Sequence, residues 1–242
     1  MPTPQDAEGW RAVLAGPPEP AAAALHAAAQ AGVAPAQLHY GQCLLDGRGV
    51  TANPAEALRW FHAAARAGEV AAINMVGRCL EQGWGTPADP AHAAPWYRAA
   101  AERGHDWGMY NLATLLTLGE GGVPRDKAEA FFWLRQAADL GHAKSINLLG
   151  GFYEHGWIVR INRTTARELY RKAAIGGDFR GQFNYARFLL QEGDLLGALH
   201  WLRQVPSTAT PGFIAKMQDF LGGFRCRQIE DFVSTLSRTP QG

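Results

Sequence analysis

The chain has 242 residues, of which 47% are hydrophobic and 19% are charged, and its formal net charge is +1. This composition indicates a folded protein, because disordered chains are less apolar and more highly charged. The balanced charge offers no basic field for a phosphate backbone, so we expect no nucleic acid partner. No apolar stretch reaches the roughly 20 residues that a membrane span needs, so we expect no membrane span.

Residues 1–34 show two short helical patterns, which end at Gly16 and at Gly32. We interpret them as N-terminal capping helices, because the end units of repeat proteins are usually atypical. The first residues lack the basic and apolar regions of a secretory signal. The sequence therefore predicts a cytoplasmic protein.

A unit of two helices recurs along the rest of the chain. It is clearest between Gly68 and Gly104, and its mark is a large side chain in an alanine frame, at Trp60, Trp96, Trp133, Leu169 and Trp201. A fixed period of this length is typical of a helical solenoid. The sequence predicts one all-α repeat domain, a helical solenoid of about five two-helix repeats. Four repeats cover residues 35–178, a shortened repeat covers 179–206, and C-terminal capping helices cover 207–242.

The second helix of each repeat carries its own start signal. An Asn or Asp lies seven residues before each large side chain, and such residues accept hydrogen bonds from the free N–H groups of a first helical turn. The predicted N-caps are Asn53, Asp89, Asp126, Asn162 and Asp194. Alanines three residues before and four residues after the tryptophan predict that the tryptophan is the large residue of a packing face.

Two residues depart from the repeat pattern. Pro95 lies inside the second helix of the second repeat, which predicts a kink there or a late helix start near Ala93. Ile158 replaces the second glycine of the turn between the helices of the fourth repeat, which predicts a reshaped turn.

The three cysteines, Cys43, Cys79 and Cys226, are predicted to be reduced thiols because their number is odd and no secretory signal is visible. Cys43 and Cys79 occupy equivalent positions of neighbouring repeats. Parallel helices there hold their Cα atoms about 9–10 Å apart, which is too far for a disulfide. We predict that both are small buried apolar residues.

An asparagine recurs within the first helices, at Asn74, Asn111, Asn147 and Asn184. Asparagine is unfavourable inside a helix because its side chain competes for backbone hydrogen bonds, so four in register need a reason. Two interpretations stay open. The amides form a ladder that ties neighbouring repeats together, or they bind the backbone of an extended partner segment.

The repeat resembles the Sel1-like repeat family, relatives of the tetratricopeptide repeats. The resemblance rests on Tyr40 to Gly68, with its glycine turn G-R-G-V at residues 47–50 and the frame A-L-R-W-F-H-A-A-A around Trp60. It implies an α/α superhelix whose first helices line a concave groove that binds a protein or peptide. The candidate partner-binding residues on that face are Asn74, Arg78, Tyr110, Asn111, Asn147, Asn184, Tyr185 and Phe188. The shortened repeat at residues 179–206 lacks the glycine turn and looks more like a tetratricopeptide repeat.

The sequence predicts a non-enzymatic adaptor or scaffold, because no catalytic, cofactor-binding or metal-binding motif is visible. It is expected to be a monomer or a weak homo-oligomer. One alternative is a regulatory or accessory subunit that docks onto an enzyme or an uptake system, with an iron-related role in some bacterial relatives. The other alternative is a structural protein that forms homo-oligomers.

Overall fold

The computed structural model describes residue 9 and residues 13–236, and all regular elements in these residues are helical. The predicted all-α class is confirmed. Most of the first N-terminal pattern lies outside the described residues. The helices are α1 (Pro18–Gln30), α2 (Ala34–Asp46), α3 (Pro54–Arg66), α4 (Val70–Gln82), α5 (Pro90–Ala101), α6 (Asp106–Leu118), α7 (Lys127–Asp139), α8 (Ala143–His155), α9 (Arg163–Ile175), α10 (Phe179–Gln191), α11 (Leu195–Leu202), α12 (Pro211–Leu221) and α13 (Arg227–Leu236), with a 3₁₀ turn at Val205–Ser207.

The chain forms two compact units, Met1–Trp133 and Leu134–Gly242, called the first and the second unit below. In the first unit α1, α2, α3, α4, α5 and α6 pack against one another in sequential pairs. In the second unit α8, α9, α10 and α11 pack in the same sequential way, and α12 packs against α13. Helices α8 and α10 are also in contact, so the first helices of successive repeats are neighbours there.

The predicted caps of the second helices are confirmed. A side-chain oxygen of each predicted residue accepts a hydrogen bond from a backbone N–H three residues later, at 2.9–3.1 Å. The capping residues are Asn53, Asp89, Asp126, Asn162 and Asp194. Since these bonds satisfy otherwise free donors, they fix where each second helix begins.

The large core residue of the second helices is the one after the tryptophan, so the predicted packing face is wrong by one position. Phe61 and Tyr97 are fully buried, whereas Trp60 and Trp96 are half-buried. The buried ring lies four residues after the first alanine of the face, Ala57 in α3, and this is an equally good helical neighbour. The tryptophan lies at the edge of the core, where Trp60 Nε1 donates to Glu56.

Glycines of the first helices make room for these buried rings. A Cβ added at Gly41 would lie 2.7 Å from the ring of Phe61, and one added at Gly77 would lie 2.7 Å from the ring of Tyr97. A methyl group does not fit at such a distance, so the glycine lets the ring pack directly on the helix backbone.

The second turn glycine packs against the preceding second helix. A Cβ added at Gly85 would lie 2.3 Å from the carbonyl oxygen of Pro54, and the φ of Gly85 is +75°. The predicted reshaping at Ile158 is wrong, because this residue keeps a left-handed φ of 60°. Its side chain is 54% exposed, so exposure relieves crowding while the backbone strain remains.

Pro95 does not delay its helix. Helix α5 begins at Pro90, directly after the Asp89 cap, and it includes Pro95. The late start near Ala93 is therefore wrong.

The cysteine prediction is confirmed for Cys43 and Cys79, which are both buried free thiols. Burial raises the pKa of Cys79 to about 11, so its thiol is protonated at neutral pH. Within residues 13–236, no helix has the length and apolar character needed to cross a bilayer.

Candidate functional site

In the first unit, two asparagines of the predicted column are joined directly. Nδ2 of Asn111 in α6 donates to Oδ1 of Asn74 in α4, at 2.9 Å. Asn74 is buried and Asn111 is half-buried. The side-chain oxygen of Asn111 accepts no hydrogen bond from the described part of the chain. The pair therefore links two first helices and keeps one acceptor available.

In the second unit, the equivalent pair is more fully used. Nδ2 of Asn184 donates to Oδ1 of Asn147 at 2.9 Å, and Nη2 of Arg187 donates to Oδ1 of Asn184 at 3.3 Å. The pairing within each unit is what the ladder interpretation expects. The two pairs differ in their free capacity, because Arg187 occupies the acceptor that stays available on Asn111.

Glu154 ties three helices of the second unit together. It accepts hydrogen bonds from Arg187 in α10, at 2.9 and 3.0 Å, and from the Tyr170 hydroxyl in α9, at 2.7 Å. Burial acts to raise the pKa of Glu154, but the bonds from Arg187 and Tyr170 outweigh it and the pKa is lowered. The carboxylate is thus charged and fully paired, which indicates a structural role.

The matching carboxylate of the first unit lacks this arginine. The Tyr97 hydroxyl donates to Glu81 at 2.5 Å, and burial together with this bond raises the pKa of Tyr97. Thr114 stands at the position that Arg187 occupies in the second unit. Glu81 has no ion pair among residues 13–236, so this carboxylate can accept further hydrogen bonds.

Arg78 lies beside the asparagine pair on the same helix as Asn74. Its guanidinium carbon is 5.0 Å from the centre of the Trp84 ring, a cation–π arrangement. The two side chains line a cavity of about 320 Å³ together with Gln42 and Asp46. Arg78 is half-buried and held in place, with donors available to a partner.

The three predicted aromatic contacts differ in exposure. Tyr110 is half-buried and its ring lies edge-on to that of Trp107, which is 42% exposed. Tyr185 and Phe188 belong to the core of the second unit, with 8% and 3% exposure. These two side chains therefore expose little surface to a partner, less than the sequence analysis expects.

The tyrosine–glutamate pairs were not predicted from the sequence. A signal for them exists, because Glu81 and Glu154 are each followed by a tyrosine 16 residues later. Their partners come from a second helix, so the spacing is meaningful only after the helix pair is known.

The comparison with family models finds the Sel1 repeat at residues 34–69, 70–105, 108–142 and 143–178, which together exceed half of the chain. No curated protein matches the sequence.

Solved structures share this architecture. A Sel1 repeat protein from Oxalobacter formigenes superposes with a TM-score of 0.80 at 22% identity, over 96% of this chain and 98% of that chain. The protein c5321 of uropathogenic Escherichia coli, a protective antigen with an SLR fold, gives a TM-score of 0.68 at 26% identity, over 90% of this chain and 48% of that chain. The immunity protein Pa5087 from Pseudomonas aeruginosa gives 0.57 at 17% identity, over 98% and 82%. The four consecutive family matches and the shared fold lead to one conclusion: the chain belongs to the Sel1 repeat family.

Proposed function

We propose that this protein is a non-enzymatic adaptor that binds an extended segment of a partner protein along the first helices of its repeats. Sel1 repeat proteins are generally protein-interaction scaffolds, and the family is typically non-catalytic. The observation that carries the proposal is the Asn74–Asn111 pair, which holds an amide with an unused acceptor on a half-buried surface.

An extended segment presents N–H and C=O groups that need partners when water is removed. The Asn111 side chain is already fixed by its bond to Asn74, so little rotamer freedom is lost when its oxygen accepts a backbone N–H. Arg78 and Glu81 lie on the same helix as Asn74 and supply a charged donor and a charged acceptor. Their opposite signs favour a segment of mixed or low charge over a strongly acidic or basic one.

Leucine substitutions at the asparagine positions can separate partner binding from the contact between neighbouring first helices. The first repeat carries Leu38 where the later repeats carry asparagine, so leucine is compatible with this position of the fold. Replacing both members of a hydrogen-bonded pair leaves no unpaired buried group and is therefore nearly neutral for stability. The double variant Asn74→Leu/Asn111→Leu removes the amides and keeps the helix–helix contact.

The experiment is affinity capture from a lysate of the producing organism, with the immobilised full chain as bait. We expect the double variant to keep the wild-type circular dichroism spectrum and to lose about fivefold or more of the captured partner, the equivalent of the one neutral hydrogen bond that the Asn111 oxygen accepts. Gln136→Ala is the matched control, because Gln136 is an exposed amide on second helix α7. Unchanged capture by a folded double variant contradicts the proposal.

A further inference from the structure

The first unit contains a cavity of about 540 Å³ along its fifth helix. One face of α5 forms one wall, and α6, the turn that follows it and the start of α7 form the other. The residues of the apolar wall are Ala91, Ala94, Pro95, Ala99, Leu112 and Val123. Leu112 is a buried residue of first helix α6, and none of the six is among the candidate partner-binding residues named above.

Small side chains open this cavity. Ala94 and Pro95 stand where the flanking second helices carry larger residues. These larger residues are Leu58 and Arg59 in α3, and Phe131 and Phe132 in α7. The second repeat is therefore hollow at a place where the chain elsewhere uses bulky side chains.

Pro95 adds a hydrogen-bond acceptor to the wall. A proline has no N–H, so the carbonyl of Ala91 lacks the donor that an ordinary helix supplies four residues later. Ala91 and Pro95 both line the cavity. This carbonyl can accept a hydrogen bond from an occupant that brings an N–H group.

The remaining polar groups give the cavity a negative charge. Three carboxylates line it, Glu102, Asp126 and Glu129, against the single guanidinium of Arg98, a net charge of −2. Arg98 is bound to both oxygens of Glu129. Among the described residues, Glu102 and Asp126 form no ion pair. The unpaired charge at the cavity is thus acidic.

We propose that this cavity binds a lysine or arginine side chain of a partner segment. The aliphatic stem packs on the alanine and proline wall, as long cationic side chains do on apolar surfaces. The cationic head donates to the Ala91 carbonyl and to the carboxylates of Glu102 and Asp126. An acidic residue is repelled by the same carboxylates, and an apolar one forms no hydrogen bond with the carbonyl or the carboxylates.

The test uses the full chain labelled with ¹⁵N, titrated with the peptide acetyl-Leu-Lys-Leu-amide while amide resonances are followed. Matched peptides carry norleucine or glutamate in place of the lysine. We expect shifts at Ala94, Ala99 and Val123, and a dissociation constant at least about fivefold lower for the lysine peptide than for the norleucine peptide. Equal affinity for these two peptides, or shifts confined to other residues, overturns the proposal.

Variants of the cavity complete the test. Ala94→Phe fills the space with the residue that α7 carries at this position, and it should abolish lysine-peptide binding. Glu102→Gln alters only an exposed side chain and should weaken binding about threefold or more. Glu19→Gln in α1 is the matched exposed control and should bind as the wild type does. If folded Ala94→Phe and Glu102→Gln proteins bind as tightly as the wild type, the assignment is wrong. None of these changes touches Asn74 or Asn111, so failure here leaves the adaptor proposal standing.

Discussion

Asp178 caps a helix with a carboxylate that is buried, and burial disfavours its charge. Its Oδ2 caps α10 by accepting from the Gly181 N–H at 2.8 Å, while its Oδ1 is buried without a hydrogen-bond partner among the residues that the structure describes. The side chain is only 4% exposed. Burial raises the pKa of Asp178 above its ordinary value of 3.8, despite the bond from Gly181 and the nearby charges of Arg180 and Lys144.

This raised pKa predicts a pH-dependent cost. The folded protein holds the Asp178 proton more tightly than the unfolded chain, so the free energy of unfolding falls as pH rises above 3.8 and levels off above the folded pKa. Asp178→Asn keeps a capping oxygen and removes the charge. We expect it to be about 1 kcal/mol more stable than the wild type at pH 7, with a smaller difference at pH 3.

Urea unfolding at the two pH values measures this difference. Asp194→Asn is the control, because Asp194 caps α11 from an exposed position. A wild-type protein that gains stability relative to Asp178→Asn between pH 3 and pH 7 would show that the sign is wrong.

Ile158 gives a second prediction at the level of one residue. A β-branched side chain at a φ of 60° is strained, and glycine adopts this conformation freely. Ile158→Gly should raise the free energy of unfolding by about 1 kcal/mol, since little packing is lost from a side chain that is 54% exposed.

Ile161→Gly is the control for Ile158→Gly, because Ile161 is also exposed but lies outside the left-handed region. Thermal unfolding should show no stabilisation for it. A stabilisation equal to that of Ile158→Gly would assign the effect to the lost apolar surface instead of the backbone.

At the scale of the element, α5 combines a strong start with a weak middle. The Asp89 cap and Pro90 at the first helical position define where it begins, and Pro95 then removes one hydrogen bond inside it. The helix persists because its buried residues, such as Tyr97 and Ala100, pack against its neighbours. Packing, more than helix propensity, keeps a short helix folded.

Pro95→Ala should therefore stabilise the protein while it weakens the binding of a lysine or arginine side chain in the proposed cavity. Restoring the missing hydrogen bond should add about 1–2 kcal/mol to the free energy of unfolding, less than the full penalty of an internal proline because proline also restricts the unfolded chain.

The same variant gives the Ala91 carbonyl a donor within the helix, so the lysine peptide should bind about threefold more weakly. Guanidinium unfolding and the peptide titration measure the two effects. A variant that is both less stable and a tighter binder would contradict the role given to Pro95.

At the scale of the whole molecule, the sequence predicted the helices well because each second helix carries its own cap. Asn53 and Asp89 act locally, so their positions are readable without the fold. The cores were predicted less accurately. Trp60 and Phe61 are adjacent and both large and aromatic, and the space that Gly41 leaves on the neighbouring helix admits the Phe61 ring.

The candidate site shows the same division. The period of the asparagines was visible, and so was the choice between a ladder and a binding surface. The difference in hydrogen bonding between the two asparagine pairs was not visible, because Arg187 reaches Asn184 only once α10 is folded. The cavity beside Pro95 was also hidden, since it arises from residues of α5, α6 and the turn after α6 together.

The central claim is that a partner segment lies along the first helices. The most direct measurement places a photo-cross-linking phenylalanine analogue at residue 78, in the first helix α4, or at residue 135, in the second helix α7, of the protein in a lysate of the producing organism. Both positions carry arginine, so each variant loses the same charge. We predict a cross-linked partner from position 78 and none from position 135. A partner that cross-links from position 135 and not from position 78 would contradict the account.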